Sequence, residues 1–561
     1  MDFTTNLWKA NTPLFMLIAG LIVVTPFIIF YVRKALKEHP KGLIPAALSN
    51  MGERFGYYIM NAVLTLFICS KFGVPDHVAG IMFAVFYFLI YVLSLPGGII
   101  ADRTQNYKRT IIWGIIVMAI GYCILSVPVF SGHGFSWVMV LTIFALILIA
   151  FGNGLFKGNL QAVVGQLYDN FEAEAAKQGP EALAKAREKR DPGFQIFYVF
   201  INIGGVIAPF IAPIIRNWWL NAHNMVYNAQ LPKLCHNYIT GNMQGNDMDN
   251  LTALTAQYPE AANDLGAFCD SYVTVFNTGV HFAFIASVLA MLISLTIFLC
   301  TKKGLPNPVK KAAVTTEDHE KAVDNMSREE REAMAKDVKQ RMAGLYAVLG
   351  VCVFFWFAFH QNAESLSLFA RDFVNSSAIP VEIWQCINPF FVIILTPIIM
   401  WLFARLASKG KEVSTPKKIA YGMGIAACAY LFLMVLCISI GYPKPSEFLG
   451  MPVGDMEAMK VGPWALIVTY FFLTVAELFI SPLGLSFVSK IAPRHLQGIC
   501  QGLWLSATAI GNLLILLGPV LYNSMPKLWM CWLVFLVVCA IAMGVMFGML
   551  KWLEKITSDK Q

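Results

Sequence analysis

SNMGERFGYYIMNAVLTLF, residues 49–67, sets Asn50, Arg54, Tyr57, Tyr58 and Asn61 at spacings of three and four in an otherwise apolar run. On an α-helix that spacing gathers them into one polar stripe. Glu53 stands beside Arg54 and can supply a carboxylate that titrates or pairs. The chain around this run is 57% hydrophobic and only 14% charged over 561 residues, which excludes an ordinary soluble domain. A charge at the centre of a lone membrane helix costs roughly 2.5–3.5 kcal/mol on insertion scales, so ionisable residues there face a bundle interior or a wet cavity. The stripe therefore predicts a helix lining a polar cavity; the alternative is a structural pair between helices.

Working outward, the same signal recurs at Lys157, Glu364 and Glu477, each inside a long apolar run. A bilayer core takes about 20 apolar residues per helix. On that ruler the chain is an all-α membrane protein with thirteen spans. An extra N-terminal helix and basic linker occupy 1–42, and a six-helix bundle with an external loop at 217–272 occupies 43–300. A polar inter-bundle loop fills 301–341, and a second six-helix bundle with a tail fills 342–561. Six spans on each side of a polar loop is the layout of a two-bundle transporter that rocks about a central site. Residues 342–370 read as one span, and 325–340 as an amphipathic helix lying on the inner surface.

The net charge of +8 is distributed by loop rather than gathered on one face. Lys and Arg crowd alternate loops, among them 33–41, 103–109, 169–193 and 301–341, whereas loop 217–272 holds only Lys233. The positive-inside rule then places the N-terminus outside and the C-terminus in the cytoplasm, in a cell (inner or plasma) membrane. The same distribution argues against a nucleic-acid partner. The first apolar run has its basic flank after it, not before, and reads as a retained helix rather than a cleaved signal. Twelve cysteines show no CxxC or Cys/His ligand spacing, so neither metal nor cofactor is expected. Cys235 and Cys269 both fall in the external loop, where a disulfide is chemically permitted. No GxSxG or HExxH pattern suggests an enzyme.

Several stretches carry a resemblance. ERFGYY (53–58), GGIIADR (97–103), GNGLFKGN (152–159), RDPGFQIFYVFINIGGVIAP, WQCINPFF (384–391), AELFISPLGLSFVSKIAP (476–493) and QGLWLSATAIGN (501–512) recur in order from about residue 43 to 550. Together they resemble the proton-dependent oligopeptide transporter family of the major facilitator superfamily. The resemblance implies that superfamily's fold and secondary uptake of di- or tripeptides with protons, by a monomer. By motif position Arg54, Tyr58, Tyr91 and Lys157 would surround the carboxyl end of a short peptide, with Tyr57 on the same stripe. Asn202, Asn388 and Glu477 would hold its amino end, and Trp356 and Trp504 would flank a side-chain pocket. A zwitterion needs cations at one end and a carboxylate at the other, and buried charge-assisted hydrogen bonds fix its orientation.

The pattern departs from the family at four places. Asn50 stands where the family has a glutamate, Asn61 where it usually has an arginine, His360 where that arginine's acidic partner lies, and Gly158 where proline is common. An Asn61–His360 contact could still close a gate by hydrogen bonding. His360 and Glu364 sit four apart, facing the same way on a continuous helix. Histidine titrates near neutrality, so His360, Glu364 and Glu53 are the expected proton carriers.

Overall fold

The computed structural model describes residues 3–74, 76–129, 137–228, 231–243, 247–306, 328–362, 365–375, 386–411, 413–449, 451, 455, 458–493 and 496–558. Among them the chain is helical apart from turns and one isolated bridge between Val374 and Val461. The first helix, α1 (Phe3–Glu38), precedes a bundle that opens with the stripe-bearing α2 (Leu43–Phe72). Then come α3 (Asp76–Val92), α4 (Ser94–Thr104), α5 (Tyr107–Ser126), α6 (Trp137–Ala176), the short α7 (Pro180–Glu188) and α8 (Arg190–Ala222). The 217–272 segment folds into three short helices, α9 (Leu231–Thr240), α10 (Asp247–Thr255) and α11 (Pro259–Asn263), before α12 (Leu265–Thr301) closes the half.

The second half comprises α13 (Arg328–Phe359), α14 (Ser365–Phe373), α15 (Ile387–Ser408), α16 (Thr415–Ile440), α17 (Pro445–Leu449), α18 (Trp464–Ile491), α19 (Gln497–Leu514), α20 (Leu517–Ser524) and α21 (Leu528–Ser558). Helix ends follow local chemistry. Asn106 caps α5 by accepting the Arg109 N–H at 3.3 Å, and Asp264 caps α12 by accepting that of Ala267 at 3.0 Å. Gly73 ends α2 in the left-handed region at φ 63°, a conformation that costs a side-chain-bearing residue more.

Twelve helices among the described residues are long and apolar enough to cross a membrane. The 30-residue α2, which carries the polar stripe, lies outside that set, so the thirteen-span count remains an expectation. Two expected boundaries are corrected. The inner-surface helix expected over 325–340 is not a separate element, because α13 runs unbroken from Arg328 into the membrane span; no proline interrupts it. Conversely, 342–370 is not one helix: α13 stops at Phe359 and a 3₁₀ turn occupies His360–Asn362. Gln361 holds that break, donating to the carbonyls of Phe357 at 3.3 Å and Ile515 at 3.5 Å, while Ser365 donates to its Oε1 at 2.8 Å.

Within the halves, α2 packs on α8 and α12, α5 on α6, and α16 on α18 and α21. Between them, α19 packs on α3, α4 and α6, and α8 on α15 and α18. Small residues permit this approach. A methyl group on Gly98 would lie 2.3 Å from the Gly498 carbonyl oxygen, and one on Gly502 would lie 2.7 Å from that of Ser94.

The end bearing the basic loops is closed by polar contacts. Asp102 accepts the N–H groups of Gly498 at 3.1 Å and Ile499 at 2.7 Å, placing a carboxylate on the first turn of α19. Asp191, at the start of α8, accepts from Lys418 at 2.9 Å and from Lys490 and Ser486 at 2.6 Å each, all three in the second bundle. Its neighbour Arg190 pairs with Asp169 at 2.5 Å and donates to the Ser489 carbonyl at 3.2 Å.

Candidate functional site

The polar stripe of α2 turns inward at mid-helix. Glu53 and Arg54, 1% and 2% exposed, form a two-pronged pair, Nε–Oε2 at 2.5 Å and Nη2–Oε1 at 2.7 Å. Asn153 on α6 adds its amide to Glu53 Oε1 at 2.7 Å. The Arg54 guanidinium lies 4.7 Å from the centroid of the Tyr57 ring, a cation–π contact that reinforces the pair. Tyr57 and Tyr58 meet edge to face at 5.4 Å, and the Tyr57 hydroxyl donates to Asn61 Oδ1 at 3.1 Å.

Lys157 is buried one helical turn beyond Asn153 on α6, with its ammonium 4.1 Å from the centroid of Tyr91. It makes no ion pair among the described residues; the Glu53 carboxylate is taken by Arg54 and Asn153. Tyr91 follows Tyr87 by four residues on α3, and their rings meet at 5.3 Å. Tyr87 also faces His360 across the inter-bundle boundary at 6.2 Å.

The second bundle offers the opposite charge. Glu477, 6% exposed on α18, accepts the Tyr198 hydroxyl on Oε1 at 2.5 Å and the Asn388 amide on Oε2 at 2.7 Å. Neutral donors alone hold it, and no cation pairs with it among the described residues. Asn388 also donates to the Thr474 hydroxyl at 3.2 Å. Tyr58 reaches the boundary between the bundles: a methyl on Gly205 of α8 would lie 3.3 Å from both its ring and Pro389 of α15.

Asn202 does not reach Glu477; its amide returns to the Tyr198 carbonyl one turn back at 3.0 Å. Trp356 stacks on His360 at 5.1 Å, and His360 Nδ1 donates to the Trp356 carbonyl at 3.1 Å. Trp504 presses on Gly484, where an added methyl would fall 2.0 Å from its ring. Asn61 and His360 are engaged with Tyr57 and with Trp356 and Tyr87 respectively, and no hydrogen bond joins them among the described residues. Glu364 lies outside the described residues. The expected shared helical face of His360 and Glu364 loses its premise, because the α-helix ends before His360.

Sequence reading missed Asn153, Tyr198 and Tyr87 as partners. A signal for each existed: Asn153 is four residues from Lys157, Tyr198 four from Asn202 and Tyr87 four from Tyr91. Side chains at that spacing share a helix face. Cys235 and Cys269 are both buried with free thiols, each engaging the other.

Comparison with known proteins agrees with this architecture. "Peptide transporter YePEPT" of Yersinia enterocolitica subsp. palearctica serotype O:3 is 26% identical over 556 residues, covering 93% of this chain and 97% of the relative. "Dipeptide and tripeptide permease B" of Salmonella typhimurium is 27% identical over 487 residues, covering 85% and 86%. Among solved structures, a POT family transporter in complex with 5-aminolevulinic acid superposes with a TM-score of 0.56 at 19% identity, over 92% of this chain and 97% of that one. That likeness supports the fold alone, a major facilitator superfamily fold in a multi-pass membrane protein. The model of the POT family matches residues 108–320 and 305–528, three quarters of the sequence, and the chain is a member of that family.

Proposed function

We propose that this chain imports di- and tripeptides by proton symport with alternating access. The observation that carries the reading is the layout of the buried charges. Arg54 and Lys157 stand in the first bundle, and Glu477, held by neutral donors alone, stands in the second. A free peptide presents a carboxylate and an ammonium a few ångströms apart. Its carboxylate fits the cationic side, with Tyr58 and Tyr91 as donors, and its ammonium supplies the cation that Glu477 lacks. Asn388 orients that carboxylate, Asn202 lies on the same helix as Tyr198, and Trp356 and Trp504 border the space for side chains.

Two features support alternating access. The bundles touch through small residues and reversible ion pairs at the basic-loop end, which we assign to the cytoplasm, with the N-terminus outside. Each bundle also contributes one end of the charge layout, so cargo would draw them together. Asn61 and His360 are assigned to the opposite gate, and a monomer suffices for the cycle.

The proton assignment rests on His360 and Glu364, because both oxygens of Glu53 are already committed. A second reading is favoured by Asn50, whose buried side-chain oxygen has no hydrogen-bond partner among the described residues. Without an acid there, the chain would exchange peptides without coupling. A bare anion as cargo fits less well, since it leaves Glu477 without a partner.

Alanylalanine uptake into proteoliposomes, with and without an inward proton gradient, tests the reading. Accumulation above equilibrium only with the gradient is expected. Exchange without accumulation would establish the uncoupled alternative, and no flux in either condition would overturn peptide transport.

A further inference from the structure

We propose that α1 is a strap joining the two bundles, latched by the Tyr31 hydroxyl to a backbone carbonyl that Pro397 leaves without a donor. Pro397 lies inside α15. Proline has no N–H, so the carbonyl of Ile393, four residues earlier, loses its helical hydrogen bond. Within a membrane such a group must be satisfied by a neighbouring helix. The fully buried Tyr31 does this, its hydroxyl donating to the Ile393 oxygen at 2.5 Å. The nearest hydroxyl on α15 itself, Thr396, is already directed to the Val392 carbonyl at 2.6 Å.

The rest of α1 belongs to the first bundle. Glu38 pairs with Lys189 at 2.6 Å, and His39 meets the Tyr168 hydroxyl at 2.8 Å. Before these anchors α1 packs on α8 and α15, burying Val24 and Ala35 and exposing Ile22 and Leu36 on its other face. The helix is thus fixed to one bundle and meets the other at Tyr31, whose hydroxyl lies against both the Ile393 carbonyl and the Thr396 hydroxyl. That contact falls on the helix carrying Asn388, so Tyr31 is a positioning residue for α15. Any rocking of the bundles slides α15 against α8 and must break or reform the latch. The latch therefore favours the state in which the basic-loop end is closed. The inference rests on alternating access but not on the cargo, so its test uses no substrate.

Hydrogen–deuterium exchange of the full chain in lipid nanodiscs reads that closure at the Gly498 and Ile499 amides, which bond to Asp102 across the bundles. Tyr31→Phe removes only the hydroxyl. Exchange at those amides should rise about 2- to 10-fold, the range expected for losing one net hydrogen bond, while α5 and α6 stay unchanged. Pro397→Ala returns a donor to Ile393, so in that background Tyr31→Phe should change exchange less than about twofold. Unchanged exchange in Tyr31→Phe, or an equal rise in both backgrounds, overturns the latch. A rise spread through α5 and α6 also overturns it, in favour of a general packing role. Tyr31→Phe alone separates a local from a general rise, so the test stands even where the double variant does not fold.

Discussion

Asn153 donates its amide to Glu53 Oε1 at 2.7 Å, so the carboxylate beside Arg54 is held from two helices at once. This makes the Glu53–Arg54 pair a joint between α2 and α6 rather than a free gate. Removing one partner of a buried pair strands the other charge, at a cost of about 3–5 kcal/mol. Removing one hydrogen bond to a buried carboxylate costs about 1–3 kcal/mol. Glu53→Gln should therefore lower thermal stability in detergent more than Asn153→Ala does. Equal loss from the two variants would show that the pair does not carry the joint.

Glu477 should govern recognition of the peptide amino group. Glu477→Gln replaces a charged hydrogen bond by a neutral one, worth about 2 kcal/mol, or about 30-fold in affinity. Tyr198→Phe removes only an orienting donor and should cost about 1 kcal/mol. Titration of alanylalanine against its N-acetylated form distinguishes the effect, because the acetylated peptide has no ammonium to lose. If Glu477→Gln weakened both ligands equally, the carboxylate would not be reading the amine.

How far the site was legible follows from these residues. Arg54, Lys157 and Glu477 were found because a charge inside an apolar run demands an explanation from sequence alone. Their partners were less visible. Asn153, Tyr198 and Tyr87 are ordinary polar residues within membrane helices, and only the pairing of helices distant in sequence reveals what they touch. The break at His360 was illegible for another reason. Neither glycine nor proline marks it, and its support comes from Gln361 bonding to Ile515 on a remote segment. The 3.6-residue pattern therefore read straight through it. Tyr31 carries no sequence signal of its role, because the carbonyl it meets is set free by Pro397 on a helix remote in sequence.

Trp504 and Gly484 form a contact that sequence could not size. A methyl on residue 484 would sit 2.0 Å from the indole, nearer than two carbons can approach, so the ring must move. Gly484→Ala should then alter selection by peptide side chain rather than peptide binding in general. We expect competition by phenylalanyl dipeptides to weaken about tenfold while that by alanylalanine changes less than about threefold, a difference near 1 kcal/mol. Uniform weakening across side chains would place Trp504 in helix packing instead.

His360 gives the test of coupling. Its Nδ1 faces the Trp356 carbonyl at 3.1 Å and must carry a hydrogen there, which leaves Nε2 to accept a proton. The ring stacks on Trp356 and meets Tyr87 of the other bundle, so charging it would strain the inter-bundle contact. If His360 carries the proton, uptake by the native chain should rise as external pH falls. His360→Ala should flatten the rise while leaving peptide exchange within about threefold of native, since the variant keeps every group that binds the cargo. An unaltered pH profile in His360→Ala would remove it from the relay and leave the proton to Glu364, whose Glu364→Gln variant would then lose the profile while keeping the binding of the free amine.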